Sequence, residues 1–151
     1  MKRSKPLFYK QETPDSCAPA CLRMVFSHFN LSVSEAELRA RCDCTIFGAD
    51  PPYVVDAARQ FGFSKTDIQN LSPDDLQSIL DDGLYPIVYV SLLPIDAREG
   101  SQALVALEMD ADIDDGAVTV YDPDQGERRL PLAAFLKAWE LKRNLAIIVD
   151  K

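Results

Sequence analysis

The stretch QETPDSCAPACLRM, residues 11–24, decides the fold of this chain. Residues 14–16 are of turn and helix-capping types, and the residues from Cys17 onward have helical spacing. Pro19 fits only the first turn of such a helix, where its missing N–H is not needed. Cys17 is therefore predicted at or near the first helical position.

A cysteine at a helix N-terminus is typical of a nucleophilic thiol. The unpaired N–H groups and the positive end of the helix dipole favour thiolate, so we expect the pKa of Cys17 to lie below its free value of about 8.5. Gln11, six residues earlier, has a side-chain amide that can donate to a developing oxyanion beside the N–H of Cys17. A capped amphipathic helix with a cysteine in its first turn is the alternative interpretation of the same pattern.

These residues resemble the nucleophile motif of the bacteriocin-processing peptidases, a branch of the papain-like cysteine peptidases. Such peptidases precede many ABC exporters and cut peptides after a double-glycine leader. Their motif is a glutamine, five residues, a cysteine, two residues and Ala-Cys-Leu, and these places are filled by Gln11, Cys17 and Ala20-Cys21-Leu22. One departure lies inside the motif, since the usual Asp-Cys-Gly is here Ser16-Cys17-Ala18, with Asp15 one place early.

The resemblance extends along nearly the whole chain. The family's Gly-centred turn, its helix ending in Gly-Phe, its apolar strand and its Asp-Pro pair correspond to Gly48, Gly62-Phe63, residues 85–93 and Asp122-Pro123. The resemblance implies a papain-like α+β fold, with the nucleophile helix in an N-terminal helical lobe and the other catalytic partners on a C-terminal antiparallel sheet. It also implies that Asp122 orients the general base.

The histidine that serves as general base in that family is missing from its strand. Where the family has Gly-x-His followed by apolar alternation, this chain reads GSQALV at residues 100–105, so Gln102 stands at the position of the base. An amide cannot transfer protons at neutral pH, and general acid–base catalysis contributes about 100-fold to 10,000-fold to the rate. We therefore expect a degenerate domain that binds a leader or cargo peptide and no longer cuts it.

The single histidine of the chain, His28, cannot replace the missing base. It follows Cys17 in the same predicted helix, about 16 Å along the axis at a rise of ~1.5 Å per residue. The alternative function is an active thiol peptidase or acyl-transfer enzyme that uses Cys17 with a base the sequence does not reveal. Asp122 is a candidate, although a carboxylate with a pKa of about 3.9 is a weak base for a thiol.

Composition predicts one domain over residues 1–151, because 47% hydrophobic and 26% charged residues suffice for one core. The formal net charge of -8 disfavours nucleic acid and anionic membranes as partners. The basic segment 1–10 lacks the apolar core of a signal peptide and is expected to be peripheral. No apolar run reaches the ~18 residues of a membrane span. A cytoplasmic protein, either standalone or excised from a longer chain, is expected.

The resemblance implies a leader or cargo peptide as ligand and an ABC exporter or secretion component as docking partner, at the cytoplasmic face of the membrane in a bacterium. No cofactor is expected.

The four cysteines are expected to be free thiols, since no export signal is present and Cys42-x-Cys44 is too tight for a zinc knuckle. The acidic string at residues 110–116 departs from a calcium loop, because Gly116 comes one place late and Tyr121 replaces the bidentate Glu. It is predicted to be a solvated hairpin turn.

Hydrophobic periodicity divides the chain into a helical first half and a strand-rich second half. The predicted helices cover residues 17–29, 34–40, 50–62, 72–80 and 131–142, and the predicted strands cover residues 85–93, 103–109, 117–121, 128–130 and 145–149. This order of elements is typical of an α+β domain.

Overall fold

A computed structural model describes residues 5–111 and 115–151 of the chain. Its elements, in order, are α1 (Cys17–His28), α2 (Glu35–Arg41), α3 (Pro51–Gln60), β1 (Asp67–Asn70), α4 (Pro73–Asp81), β2 (Ile87–Ser91), α5 (Leu93–Asp96), β3 (Ser101–Asp110), β4 (Ala117–Asp122), β5 (Gly126–Pro131), α6 (Leu132–Glu140) and β6 (Leu145–Ile148). The predicted α+β class is confirmed. Two short elements, β1 and α5, were not predicted, because β1 is polar and largely exposed and α5 is a single turn that contains Pro94.

The strands form one antiparallel sheet in the order β1-β6-β2-β3-β4-β5. Alternate residues of a strand face opposite sides of a sheet, so the central strands β2 and β3 contribute to two cores. Ile87 and Val105 pack with α1, α2 and α3 on one side, whereas Val88 and Leu104 pack with α4 and α6 on the other. The helical lobe therefore lies against one face of the sheet, with β3 in its interior.

Helix α1 is the central element of the helical lobe. It begins at Cys17 and ends at His28, and Asn30 follows with φ 61°, a left-handed conformation that asparagine tolerates after a helix. Almost the whole helix is buried, and the Sγ of Cys21 donates a hydrogen bond of 3.3 Å to the carbonyl of Ala103 on β3. Phe26 stacks on Phe63 with ring centroids 4.7 Å apart.

The N-terminal segment, residues 5–10, crosses the outer side of α1 and β4. Pro6 is buried and its carbonyl accepts a 2.8 Å hydrogen bond from the Tyr121 hydroxyl, while Phe8 packs edge-on against the Tyr121 ring at 5.5 Å. The segment ends next to Gln11, whose backbone N–H donates to the carbonyl of Pro123 just after β4.

The hairpin that joins β3 to β4 carries the acidic string. Strand β3 ends at Asp110 and β4 begins at Ala117, and the pairing of the two strands shifts register between Ala106 and Glu108. The middle of the predicted turn, residues 112–114, lies outside the described residues. None of the helices in the described ranges combines the length and the apolar character needed to cross a bilayer.

Phe26→Ala is expected to lower the free energy of unfolding by about 3–5 kcal/mol, because it removes a fully buried ring that contacts Phe61 and Phe63. Urea denaturation followed by circular dichroism measures the change. Phe47→Ala is the matched control, since Phe47 is 92% exposed and should lose less than about 0.5 kcal/mol. Equal losses in the two variants would contradict the assignment of Phe26 to the core.

Candidate active site

A small cleft separates the N-terminus of α1 from the beginning of β3. Its volume is about 170 Å³, and Cys17, Ala18, Phe47, Gly48, Ala49, Tyr89, Ser101, Gln102 and Ala103 line it. A larger groove of about 580 Å³ lies between α4, β3 and α6 and holds none of the predicted site residues. The small cleft is the candidate site because it brings Cys17 and Gln102 to one surface.

Ser16 occupies the N-cap position of α1 but its side chain does not cap the helix. The hydroxyl lies 3.1 Å from Oε1 of the buried Glu35 and 3.2 Å from the carbonyl of Thr13, and it accepts a hydrogen bond from the N–H of Thr13 at 3.1 Å. The carboxylate of Glu35 competes with the helix for the side chain of Ser16. The N–H groups of Cys17 and Ala18 are therefore left without a side-chain cap, and both act on the Cys17 thiol.

The prediction that the helix terminus lowers the pKa of Cys17 is wrong. Burial of the thiol raises its pKa above the ordinary value of 9.0, and the carboxylate of Asp122 adds to the rise. Backbone groups of Ala103, Ala18 and Cys17 itself oppose the rise but do not offset it. The sulfur is half-buried beneath the cleft, so the loss of hydration outweighs the donors of the helix end.

Gln102 joins two other residues of the predicted site. It lies at the beginning of β3, opposite Val90 of β2, and its side chain is nearly inaccessible to solvent. Its Nε2 donates to Oδ1 of Asp122 at 3.1 Å and to Oε1 of Gln11 at 3.0 Å. Both amide protons of Gln102 are thus engaged, and the three side chains form a continuous chain that we call the polar relay, Asp122–Gln102–Gln11.

Gln11 ends the polar relay at the turn before α1. Its Nε2 donates to the carbonyls of Thr13 at 2.8 Å and Pro14 at 3.2 Å, and its backbone N–H donates to the carbonyl of Pro123 at 2.8 Å. To donate to an oxyanion, the side chain must give up one of these turn contacts. Its role as an oxyanion donor stays a prediction.

Asp122 is the buried anchor of the polar relay, with 1% of its surface exposed. Besides the Gln102 amide, it accepts a hydrogen bond of 2.9 Å from the N–H of Asp124, and its Oδ2 lies 3.1 Å from the guanidinium of Arg128. Asp122 is therefore in position to hold the side chain at residue 102, as the resemblance implies.

Sequence reasoning did not identify three residues around the site. Arg128 pairs with Asp122, the fully buried Glu35 holds the turn before Cys17, and Tyr89 forms part of the cleft wall. The one usable signal was that Arg128 lies in residues 128–130, the strand predicted to pair back after the turn that follows Asp122.

Glu35 positions the turn that carries Cys17. Its Oε1 accepts a 2.9 Å hydrogen bond from the N–H of Glu12 in addition to the contact with Ser16. Arg39 Nε lies 3.0 Å from the other carboxylate oxygen, within ion-pair distance but off the hydrogen-bond direction. Helix α2 is thereby tied to the turn at residues 12–16.

The hydroxyl of Tyr89 is buried and has no hydrogen-bond partner among the described residues. Burial raises the pKa of this tyrosine well above its ordinary value of 10.0, and the nearby thiols of Cys21, Cys17 and Cys42 act in the same direction. The phenol is therefore neutral and is a potential hydrogen-bond donor beneath the cleft.

His28 and the other cysteines lie away from the reactive centre or beneath it. His28 is at the opposite end of α1 and packs edge-on against Tyr85 with ring centroids 4.8 Å apart. All four cysteines are free thiols, of which Cys21 and Cys42 are buried and Cys44 is half-buried. The described part of the chain contains no group of three or more His, Cys, Asp or Glu side chains placed to hold a metal ion.

Comparison with known proteins places this geometry among peptidases. The family model described as "Peptidase C39 family" matches residues 6–151. No curated protein matches the sequence significantly.

Solved structures share the fold. A double-glycine-motif protease from an AMS/PCAT transporter, in complex with a leader peptide, has a TM-score of 0.78 at 17% identity, over 99% of this chain and 94% of that one. The peptidase domain of Streptococcus ComA, a bi-functional ABC transporter of a quorum-sensing pathway, has a TM-score of 0.73 at 22% identity, over 98% and 100%. That of Streptococcus mutans ComA has a TM-score of 0.64 at 19% identity, over 98% and 100%. At these identities the likeness establishes the fold, as the sequence resemblance implied.

Alkylation of Cys17 in the folded protein is expected to be slow near neutral pH and to have its midpoint above pH 9.0, because the thiolate is the reactive form and the pKa of Cys17 is raised. Iodoacetamide modification across a pH series, resolved for Cys17 by mass spectrometry, gives the midpoint. The same cysteine in urea-unfolded protein is the control and should titrate at lower pH. A folded-state midpoint below the unfolded one would contradict the raised pKa.

Proposed function

The chain belongs to the Peptidase C39 family, and on that premise we propose that it is a degenerate peptidase domain that binds a peptide beside Cys17 without cutting it. The observation that carries the proposal is the polar relay, in which the Gln102 amide stands 3.1 Å from the Asp122 carboxylate. In a cysteine peptidase, the group that Asp orients is the imidazole that moves protons.

The chemistry of the relay supports binding over hydrolysis. Peptide hydrolysis by a thiol needs a base to take the proton from sulfur and an acid to protonate the leaving amine. The Gln102 amide does neither near neutral pH, and both of its N–H groups are engaged within the relay. The raised pKa keeps Cys17 as a thiol, a weak nucleophile.

Substitution of Asp122 for the missing base has little support. A useful base near neutral pH needs a free lone pair and a raised proton affinity. Both carboxylate oxygens of Asp122 are instead occupied, Oδ1 by the Gln102 amide and the N–H of Asp124 and Oδ2 by the guanidinium of Arg128. The active thiol peptidase is therefore the weaker alternative.

The walls of the cleft support a peptide with small residues near Cys17. Ala18, Gly48, Ala49 and Ala103 line the cleft together with Cys17, so small side chains let the backbone of a peptide approach the sulfur closely. Phe47, on the rim, is 92% exposed and offers an apolar contact to residues farther along a bound peptide. A leader peptide that ends in two glycines fits this cleft.

The partner and the location of the domain are proposed from the solved structures that share its fold. One solved relative is a protease in complex with a leader peptide and another is a domain of a bi-functional ABC transporter. We infer that this domain presents a leader or cargo peptide to an ABC exporter or related secretion component at the cytoplasmic face of the membrane.

Wild-type protein is expected to bind a fluorescent double-glycine leader peptide saturably and to leave it intact, since the cleft is present but the proton-transfer group is not. Fluorescence anisotropy measures binding, and mass spectrometry of the same samples measures cleavage. A peptide with Val-Val in place of Gly-Gly is the matched control and should bind at least about tenfold more weakly. Cleavage of the leader peptide by the wild-type protein, if Cys17→Ala abolishes it, would contradict the proposal.

Gln102→His is expected to create peptide cleavage at a rate of order 100-fold or more above wild type, because it restores an imidazole beside Asp122. Cleavage of the leader peptide under single-turnover conditions is the measurement. Gln102→Asn, which keeps an amide, and the double variant Gln102→His/Cys17→Ala should both remain inactive. If Gln102→His is folded and as inactive as Gln102→Asn, residue 102 does not occupy the position of the base.

A further inference from the structure

Arg128 connects the polar relay to a second carboxylate. It lies on β5 opposite Val120 of β4. One guanidinium nitrogen is 3.1 Å from Oδ2 of Asp122 and 3.1 Å from Oδ2 of Asp96, while the other is 2.7 Å from Oδ1 of Asp96. Asp96 therefore holds the guanidinium by a two-point contact, which fixes its plane, and the shared nitrogen is directed at Asp122.

The surroundings of Asp122 require a cation. A buried carboxylate without a positive partner is strongly disfavoured, and in a cysteine peptidase the imidazolium beside the Asp provides that charge. The Gln102 amide is neutral. Among residues 5–111 and 115–151, the cation in contact with Asp122 is Arg128.

The ion pairs of Arg98 are weaker than the ion pair between Arg128 and Asp96. Arg98 lies 4.0 Å from both Asp96 and Asp124 at the exposed rim, a distance at which solvent weakens an ion pair. The hydrogen bond with Arg128 lowers the pKa of Asp96, and the same contact raises the pKa of Arg128, so both remain charged over the ordinary pH range.

We propose that Arg128 is a positioning residue that supplies the counter-charge of the cleft: it pairs with the buried Asp122 carboxylate, fixes the polar relay through Gln102 to Gln11, and cancels part of the negative field of Asp122 at Cys17. Asp96 and Asp122 share this one guanidinium, so the three side chains formally carry two negative charges and one positive charge. This role rests on the proposed function only in taking Cys17 and Gln102 as the centre of the cleft, and it holds whether or not a peptide is cut.

The field of Asp122 at the sulfur provides the readout. The Asp122 carboxylate disfavours thiolate at Cys17 even with Arg128 present. Loss of the guanidinium should strengthen this effect and loss of the carboxylate should reverse it. Damage to packing alone would move both variants in the same direction, toward a more hydrated sulfur and a lower midpoint, so opposite shifts identify a charge effect.

The experiment measures the pH midpoint of Cys17 alkylation in the full chain, with iodoacetamide as probe and mass spectrometry to resolve each cysteine. Arg128→Gln should raise the midpoint, with about 3-fold to 10-fold less thiolate at a given pH below it. Asp122→Asn should lower the midpoint, and the double variant should return it near wild type. Cys17 in the urea-unfolded form of each variant is the reference, and its midpoint should be the same in all of them.

Arg129→Gln is the matched control, because Arg129 is the next residue of β5, is exposed, and its loss changes the net charge equally. It should leave the midpoint unchanged. An equal shift in Arg128→Gln and Arg129→Gln, or shifts of one sign in Arg128→Gln and Asp122→Asn, would overturn the counter-charge role.

If Arg128→Gln does not fold, Asp122→Asn is compared with the double variant Arg128→Gln/Asp122→Asn. The counter-charge role predicts a higher midpoint in the double variant, because the guanidinium favours thiolate, and a midpoint equal to or below that of Asp122→Asn would overturn it. Cleavage of a leader peptide by wild type would overturn the proposed pseudopeptidase and leave these midpoints untouched. The two proposals therefore fail separately.

Discussion

The contact between helix α1 and strand β3 sets the geometry of the cleft. Cys21 follows Cys17 by one helical turn, so both face the sheet, and the hydrogen bond from Cys21 Sγ to the Ala103 carbonyl fixes that face at 3.3 Å. Gln102 precedes Ala103 on the same strand. The anchoring of one thiol against Ala103 thus places the other beside Gln102, and the small side chain of Ala103 permits the close approach. The turn that Glu35 holds sets where the helix begins.

Desolvation and the helix terminus act in opposite directions on Cys17, and their magnitudes decide the outcome. A helix N-terminus stabilises a charge by about 0.3–1 kcal/mol when exposed and up to ~2 kcal/mol when partly buried, at most about 1.5 pKa units. Full burial can shift a pKa by about 3–5 units in the other direction. A half-buried thiol therefore needs a nearby cation to become a thiolate. On the proposed function, the nucleophile motif and the histidine act as one chemical unit, and the motif by itself fixes the position of Cys17.

Local patterns in the sequence predicted most of the elements, and tertiary contacts account for what they missed. Cys17 at the start of α1 and the left-handed Asn30 after it follow from turn and capping chemistry within a few residues. Strand β1 was missed because its pairing with β6 is a long-range contact and its side chains carry no alternation. The raised pKa of Cys17 depends on burial by other elements, and the contact of Arg128 with Asp96 joins residues 32 positions apart. Neither leaves a local signal.

Under the proposed function, an amide at residue 102 keeps the shape of the site without a group that transfers protons. Asp122 is buried, and an apolar residue at position 102 would remove one of the two hydrogen bonds that its Oδ1 accepts, as well as the donor to Oε1 of Gln11. The Gln102 amide has two N–H donors, as many as an imidazolium, and carries no charge. Glutamine therefore satisfies both Asp122 and Gln11. A cleft held in this way remains preorganised for a ligand, because binding depends on the fixed walls around Cys17 and not on any group that must change its protonation.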